Sequence, residues 1–167
     1  MEIKKKLPIG IEDFQKIRTE GFYYVDKTGF IRDLLYNWGE VNLFTRPRRF
    51  GKSLNMNMLR CFLSYGCDKS LFEGLEIAQE TELCKEYMGA FPVVFISLKD
   101  ISGKDYPTAR NMLCSVIGRA ALQFEYLLDS PKLSERDKSL FTQLIQVNDC
   151  GQSSFEMSDE VLVSSLN

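Results

Sequence analysis

Val41-Asn42-Leu43-Phe44-Thr45-Arg46-Pro47-Arg48-Arg49-Phe50-Gly51-Lys52-Ser53 is the stretch on which the reading of this chain turns. A short apolar run, a bend around proline, and Gly-Lys-Ser ahead of a long amphipathic segment give the order strand, tight turn, helix. That order suits an anionic phosphate, because main-chain N–H groups wrap it and the free N–H groups of a new helix point at it. In such a loop Gly51 lets the backbone come close without a Cβ. Lys52 reaches the terminal phosphates as a point charge, and the Ser53 hydroxyl ligates Mg²⁺. Arg48 and Arg49 add charge to the cradle, and the amides of Phe50 and Leu54 line it. The glycine that usually opens the pattern, ahead of four free positions and the Gly-Lys pair, is replaced by Arg46. The residues alone leave a second reading open, a surface turn with solvated basic side chains.

Moving outward, Glu40 to Thr45 reads as the strand before the loop. Ser53 to about Tyr65 reads as the helix after it. Leu54, Met58, Phe62 and Tyr65 occupy one face and Met56, Leu59 and Leu63 a second, the pattern of a helix buried against a sheet. Phe91 to Leu98 is a continuous apolar run of buried parallel-strand type. Two strands with a helix between them predict a βαβ unit with a right-handed crossover. Asp100 closes the second strand, where sheets of this kind bind ligands, and is a positional candidate for a Mg²⁺ acid. No second acid follows it.

On the N-terminal side the spacing predicts a helix over Glu12 to Thr19 and an extended piece over Phe22 to Val25. A further helix, capped by Asp26, runs to about Asn37 with Phe30, Ile31, Leu34 and Leu35 inward. On the C-terminal side Asp68 to Gln79 reads as a polar connection around Leu71, Phe72 and Leu75, Thr81 to Tyr87 as a short helix, and Pro107 to about Asp129 as a long one. Ser134 with Asp137 has the spacing of a capping box, with an acid shorter than the usual Glu. Ser158 is placed to cap a last helix ending near Leu166.

Composition bounds these readings. The chain has 167 residues, 44% hydrophobic and 26% charged, with a net charge of −2. That is ordinary globular composition, and no global field draws it to nucleic acid or an anionic membrane. The positive charge is local, with Arg46, Arg48, Arg49 and Lys52 crowded into one turn. No apolar run reaches the roughly 18 residues that span a bilayer, and the charged start Met1 to Lys6 lacks a signal-peptide core. Five cysteines without close pairs, and no histidine, argue against a zinc knuckle or a disulfide framework. They read as reduced cytosolic thiols.

Beyond the loop itself, Tyr23-Tyr24-Val25-Asp26-Lys27-Thr28 and Asn42 to Asn55, with Arg46-Pro47-Arg48-Arg49-Phe50-Gly51-Lys52 at their centre, resemble the predicted AAA-ATPase-like family of bacterial proteins. Leu7-Pro8-Ile9-Gly10 and the strand Phe91 to Leu98 fit it as well. The resemblance implies an α/β fold, a P-loop NTPase-type three-layer sandwich with a parallel sheet. Here that fold would be incomplete, with a helix-rich C-terminal half. The chain then divides into a helical lead-in over 1–39, the βαβ unit with its phosphate loop over 40–100, and a helical segment over 101–167. The resemblance implies ATP and Mg²⁺ as ligands of a variant Walker A loop and, by analogy, Tyr24 and Val25 as one wall of an adenine pocket. It also implies a cytoplasmic protein in which the nucleotide switches an attached effector, often a restriction-endonuclease-like domain, or an oligomer.

The family's acid-ended strand follows the last helix, whereas Asp159-Glu160 opens one. The chain therefore reads as stopping before its Mg²⁺ acid, with hydrolysis weak or absent in isolation. Two rivals stand beside this reading. One is an interaction module whose degenerate loop carries Arg46 in the phosphate space. The other is a module binding nucleic-acid phosphates through Arg46, Arg48 and Arg49.

Overall fold

The structure, a computed structural model, describes residues 5–99 and 101–146. The chain forms two compact units, Met1–Val93 and Val94–Asn167. The regular elements among the described residues are helices: α1 (Phe14–Thr19), α2 (Gly29–Tyr36), α3 (Lys52–Leu63), α4 (Thr81–Tyr87), α5 (Tyr106–Leu122) and α6 (Glu135–Gln146). Shorter 3₁₀ turns cover Lys69–Phe72, Glu76–Gln79 and Glu125–Asp129.

In the first unit α3 is the axis. Met58 and Phe62 are fully buried, and Leu63 nearly so. They meet Phe14 of α1, Ile31 and Leu35 of α2, and Leu71, Phe72, Leu75 and Ile77 of the 3₁₀ turns. The aromatic rings interlock: Phe72 lies 5.2 Å from Phe14 and 5.3 Å from Phe62, the latter edge-on. Polar ties fix the elements around this core. Asn57 Oδ1 accepts the Phe14 amide at 2.8 Å, satisfying an orphan donor at the start of α1. The Arg18 guanidinium donates to the carbonyls of Leu71 and Glu73, each at 2.7 Å.

The parallel α/β sandwich predicted from the sequence is not formed. Among the described residues there is no sheet, and extended backbone makes one isolated parallel bridge, Ser64 to Phe91. The 40–45 segment bends at Glu40 and Val41 and joins no ladder, with Val41 88% and Leu43 84% exposed. In the run from Phe91 to Leu98, Phe91 and Val93 pack on the core while Val94 and Leu98 are exposed. The physical reason lies in where the hydrogen bonds go. An extended segment satisfies its N–H and C=O groups only on a neighbour, so apolar composition without a pairing partner leaves it outside any ladder. The βαβ unit accordingly reduces to loop, helix and a single bridge.

In the second unit Asp105 caps α5 by accepting the Thr108 amide at 2.8 Å, with Pro107 in the first turn. The long helix expected to reach Asp129 ends at Leu122 and continues as a 3₁₀ turn. Ser134 and Asp137 exchange the reciprocal bonds of a capping box: the Ser134 amide donates to the carboxylate at 3.3 Å, and the Asp137 amide donates to the Ser134 hydroxyl at 3.2 Å. Cys114 and Ile117 of α5 pack with Leu113 and with Leu144 of α6. Asp100 and the helix expected after Ser158 lie outside the described residues.

Candidate functional site

The loop ahead of α3 turns on two left-handed residues before the helix begins. Gly51 is the N-cap of α3 with φ 75° and ψ 20°, and Lys52 is the first helical residue. Arg49 also takes a left-handed φ, 69°, which costs a non-glycine residue about 1 kcal/mol or more. Two left-handed positions on either side of Phe50 bend the chain sharply into the helix. An added Cβ at Gly51 would meet nothing within 4 Å. Glycine serves here for its dihedral and for leaving the approach to the backbone open. Among the described residues the amides of Gly51, Lys52, Ser53 and Leu54 donate to no acceptor. They are the orphan donors of a helix start, and no side chain caps them.

The cations gather around this end. Arg46, Arg48, Arg49, Lys52 and Ser53 are all exposed, and among the described residues none of the three arginines is engaged by a carboxylate. The Lys52 ammonium folds back and donates to the Arg46 carbonyl. It spans the loop from last residue to first, which leaves it poised over the bend. Leu54 turns its side chain into the core and offers the site its amide alone.

A cleft of about 690 Å³ opens beside the loop. Its walls are Phe30, Leu43, Phe44 and Met56, and its polar groups include Lys27, Arg46, Lys52 and Asn55. Phe30 and Phe44 meet edge to face at 4.8 Å. Of the loop residues singled out from the sequence, Arg46, Phe50 and Lys52 line this cleft. Arg48, Arg49, Gly51, Ser53 and Leu54 belong to the adjoining bend and helix start.

Tyr24 and Val25 do not line the cleft. Tyr24 packs edge-on to Phe14 at 5.4 Å, and its hydroxyl donates to the Met58 sulfur at 3.1 Å. Burial pushes its pKa up to about 12. Val25 is exposed. Asp26 does not cap α2, whose N-cap is Thr28. Its carboxylate instead accepts the Thr28 amide at 2.8 Å, the Thr28 hydroxyl at 2.7 Å and the Glu76 amide at 2.7 Å. Partial desolvation opposes its charge, but these bonds prevail and hold the carboxyl below its usual range.

The sequence reading missed Lys27, Asn55 and Met56. Asn55 and Met56 stand three and four residues after Lys52, hence on its side of the helix, and that spacing was the available signal. No group of three or more metal-ligating side chains occurs among the described residues. No helix among them is long and apolar enough to cross a membrane.

The model of a family described as predicted AAA-ATPase, the AAA-ATPase-like family, matches residues 8–160. A curated protein of Azotobacter chroococcum mcd 1, described as an uncharacterized protein in the vnfD 5' region, is 38% identical over 110 residues. That match covers 60% of this chain and 20% of the relative, so the chain spans about a fifth of the relative's length. No solved structure matches.

Proposed function

This chain belongs to the predicted AAA-ATPase-like family, and on that premise we propose that it binds a nucleotide, ATP by preference, through a variant Walker A loop at Arg46 to Ser53. The observation that carries the proposal is the run of free amides from Gly51 to Leu54 at the head of a helix, ringed by exposed cations. Aligned peptide dipoles and unsatisfied N–H groups there favour an anion, and the open space over Gly51 admits one. Lys52 is the phosphate-binding cation, released from the Arg46 carbonyl when the ligand arrives. Arg48 and Arg49 add screening charge at the rim. For Mg²⁺ the loop offers the Ser53 hydroxyl; the remaining ligands would be phosphate oxygens and water, in keeping with this ion's habit of retaining waters.

The cleft lining carries no carboxylate, so binding is the activity proposed for this chain. In a longer protein, as the length of the relative suggests, occupancy of the loop would switch an attached effector or an oligomer in the cytoplasm.

Calorimetric titration of Mg²⁺-ATP into wild type and Lys52→Ala tests this. Saturable binding is expected, weakened about ten- to a hundredfold in the variant, the usual worth of a hydrogen bond to a charged group. Wild type that fails to bind rules the reading out. Oligonucleotide binding that falls with salt and ignores Lys52→Ala would instead make the arginines a nucleic-acid contact.

A further inference from the structure

Lys27 is the cation in the cleft that the loop does not supply. Its backbone is held from several directions. On one side Asp26 accepts from Thr28 and from the Glu76 amide. On the other, the Thr28 hydroxyl, fully buried, accepts the Ile77 amide at 3.1 Å. Three residues before Lys27, Tyr24 is anchored in the core against Phe14 and Met58. A turn fixed by this many bonds presents one long side chain that is left over. Lys27 is exposed, lines the cleft with Arg46 and Lys52, and has no side-chain partner among the described residues.

Three positive charges therefore share a cleft of about 690 Å³ whose other walls are Phe30, Leu43, Phe44 and Met56, with no carboxylate among the lining residues. Apolar walls focus the field of such a cluster, and like charges brought together repel until an anion sits between them. The arrangement runs against the balance of the whole chain, which carries a net charge of −2.

We propose that Lys27 is a second phosphate-binding lysine, presented by the turn before α2, and that it makes the cleft selective for ligands carrying two or more phosphates over monophosphates. The inference rests on the nucleotide reading above and assigns it a residue outside the loop. Asp26, Thr28 and Tyr24 act as positioning residues, setting where the ammonium stands without touching the ligand.

The experiment is calorimetric titration of AMP, ADP and ATP, each with Mg²⁺, into wild type, Lys27→Ala, Lys27→Arg and Lys52→Ala, repeated across a salt series. Circular dichroism and thermal melting check that each variant folds; Lys27 is exposed and unpaired, so its removal leaves the core intact. Lys16→Ala, on the exposed face of α1, is the control for loss of a surface charge. Lys27→Ala is expected to weaken ATP about five- to twentyfold and AMP by less than about twofold, a one-charge effect in a partly solvated site. It is also expected to flatten the salt dependence, while Lys27→Arg stays close to wild type. A merely structural lysine would move all three ligands equally and leave the salt slope alone, and that result overturns the proposal. If Lys52→Ala loses binding while Lys27→Ala matches Lys16→Ala, the loop reading stands and this inference falls. If wild type binds none of the three, both fall.

Discussion

The last turns of α3 and its first turn carry side chains of similar bulk into opposite surroundings. Met58 and Phe62 are buried to the last atom, with Phe14, Phe72 and Ile77 around them. Lys52 and Ser53 are exposed, Met56 is 40% exposed, and the helix start has free amides over open space. The core end is satisfied, while the loop end is unsatisfied in charge and in hydrogen bonds. The contrast assigns stability to one end and leaves the other for the binding proposed above, with little overlap. A residue can then be lost at the loop without unfolding the chain, and a ligand can be gained there without rebuilding the core.

Substitutions test how sharp this division is. The largest stability effect belongs to Phe62→Ala, which empties the centre of the aromatic cluster. Unfolding in urea should show a loss of about 3–5 kcal/mol, whereas Lys52→Ala, expected to weaken binding, should leave the midpoint almost in place. A loss below about 1 kcal/mol for Phe62→Ala would mean the core end is not closed, and the contrast would fail.

Asp26→Asn comes next. The variant keeps the shape but presents an amide where the carboxylate accepts the Glu76 and Thr28 donors, for a cost of about 1–2 kcal/mol at neutral pH. Its pH dependence has a definite sign. Because the folded-state pKa of Asp26 is lowered, its contribution is present above the ordinary carboxylate value of about 4. It is lost as pH falls from there through the folded value. Equilibrium unfolding at several pH values should therefore show wild type and variant converging in acid. A gap that stays constant down to the lowest pH would remove the carboxylate from its role as a tie.

The smallest effect, and the one that bears on the correction to the fold, is Leu43→Ser. A leucine in a buried parallel strand would cost several kcal/mol to truncate. At 84% exposure the change should fall within about 0.5 kcal/mol. A loss above about 2 kcal/mol would show that the segment is covered in solution.

Much of the helical framework was legible in advance. Gly51-Lys52-Ser53 and the Ser134–Asp137 pair announced helix starts, and the loop-to-helix junction fell within one residue of its expected place. The core was less legible. Asp68 to Gln79 looked like a polar connection, yet it delivers Leu71, Phe72, Leu75 and Ile77 to the centre through two 3₁₀ turns too short to show a period. Asp26 and Tyr24 were read from their neighbours in sequence, whereas their partners are Glu76 and Met58, 50 and 34 residues away. The cleft was half visible: Lys52 and Phe50 stood out as loop residues, but nothing in the sequence said that Lys27 would face the same space.

The amino-acid order alone set the bend at Arg49 to Gly51, the helix that follows it and the crowding of cations at its head. Helix bonds close within a few residues and a left-handed glycine needs no distant partner. Tertiary structure decided whether the apolar runs at 41–44 and 91–98 would become strands, and the described residues form no ladder from them. A strand's hydrogen bonds lie wholly outside its own segment, so hydrophobic composition can ask for a partner but cannot supply one.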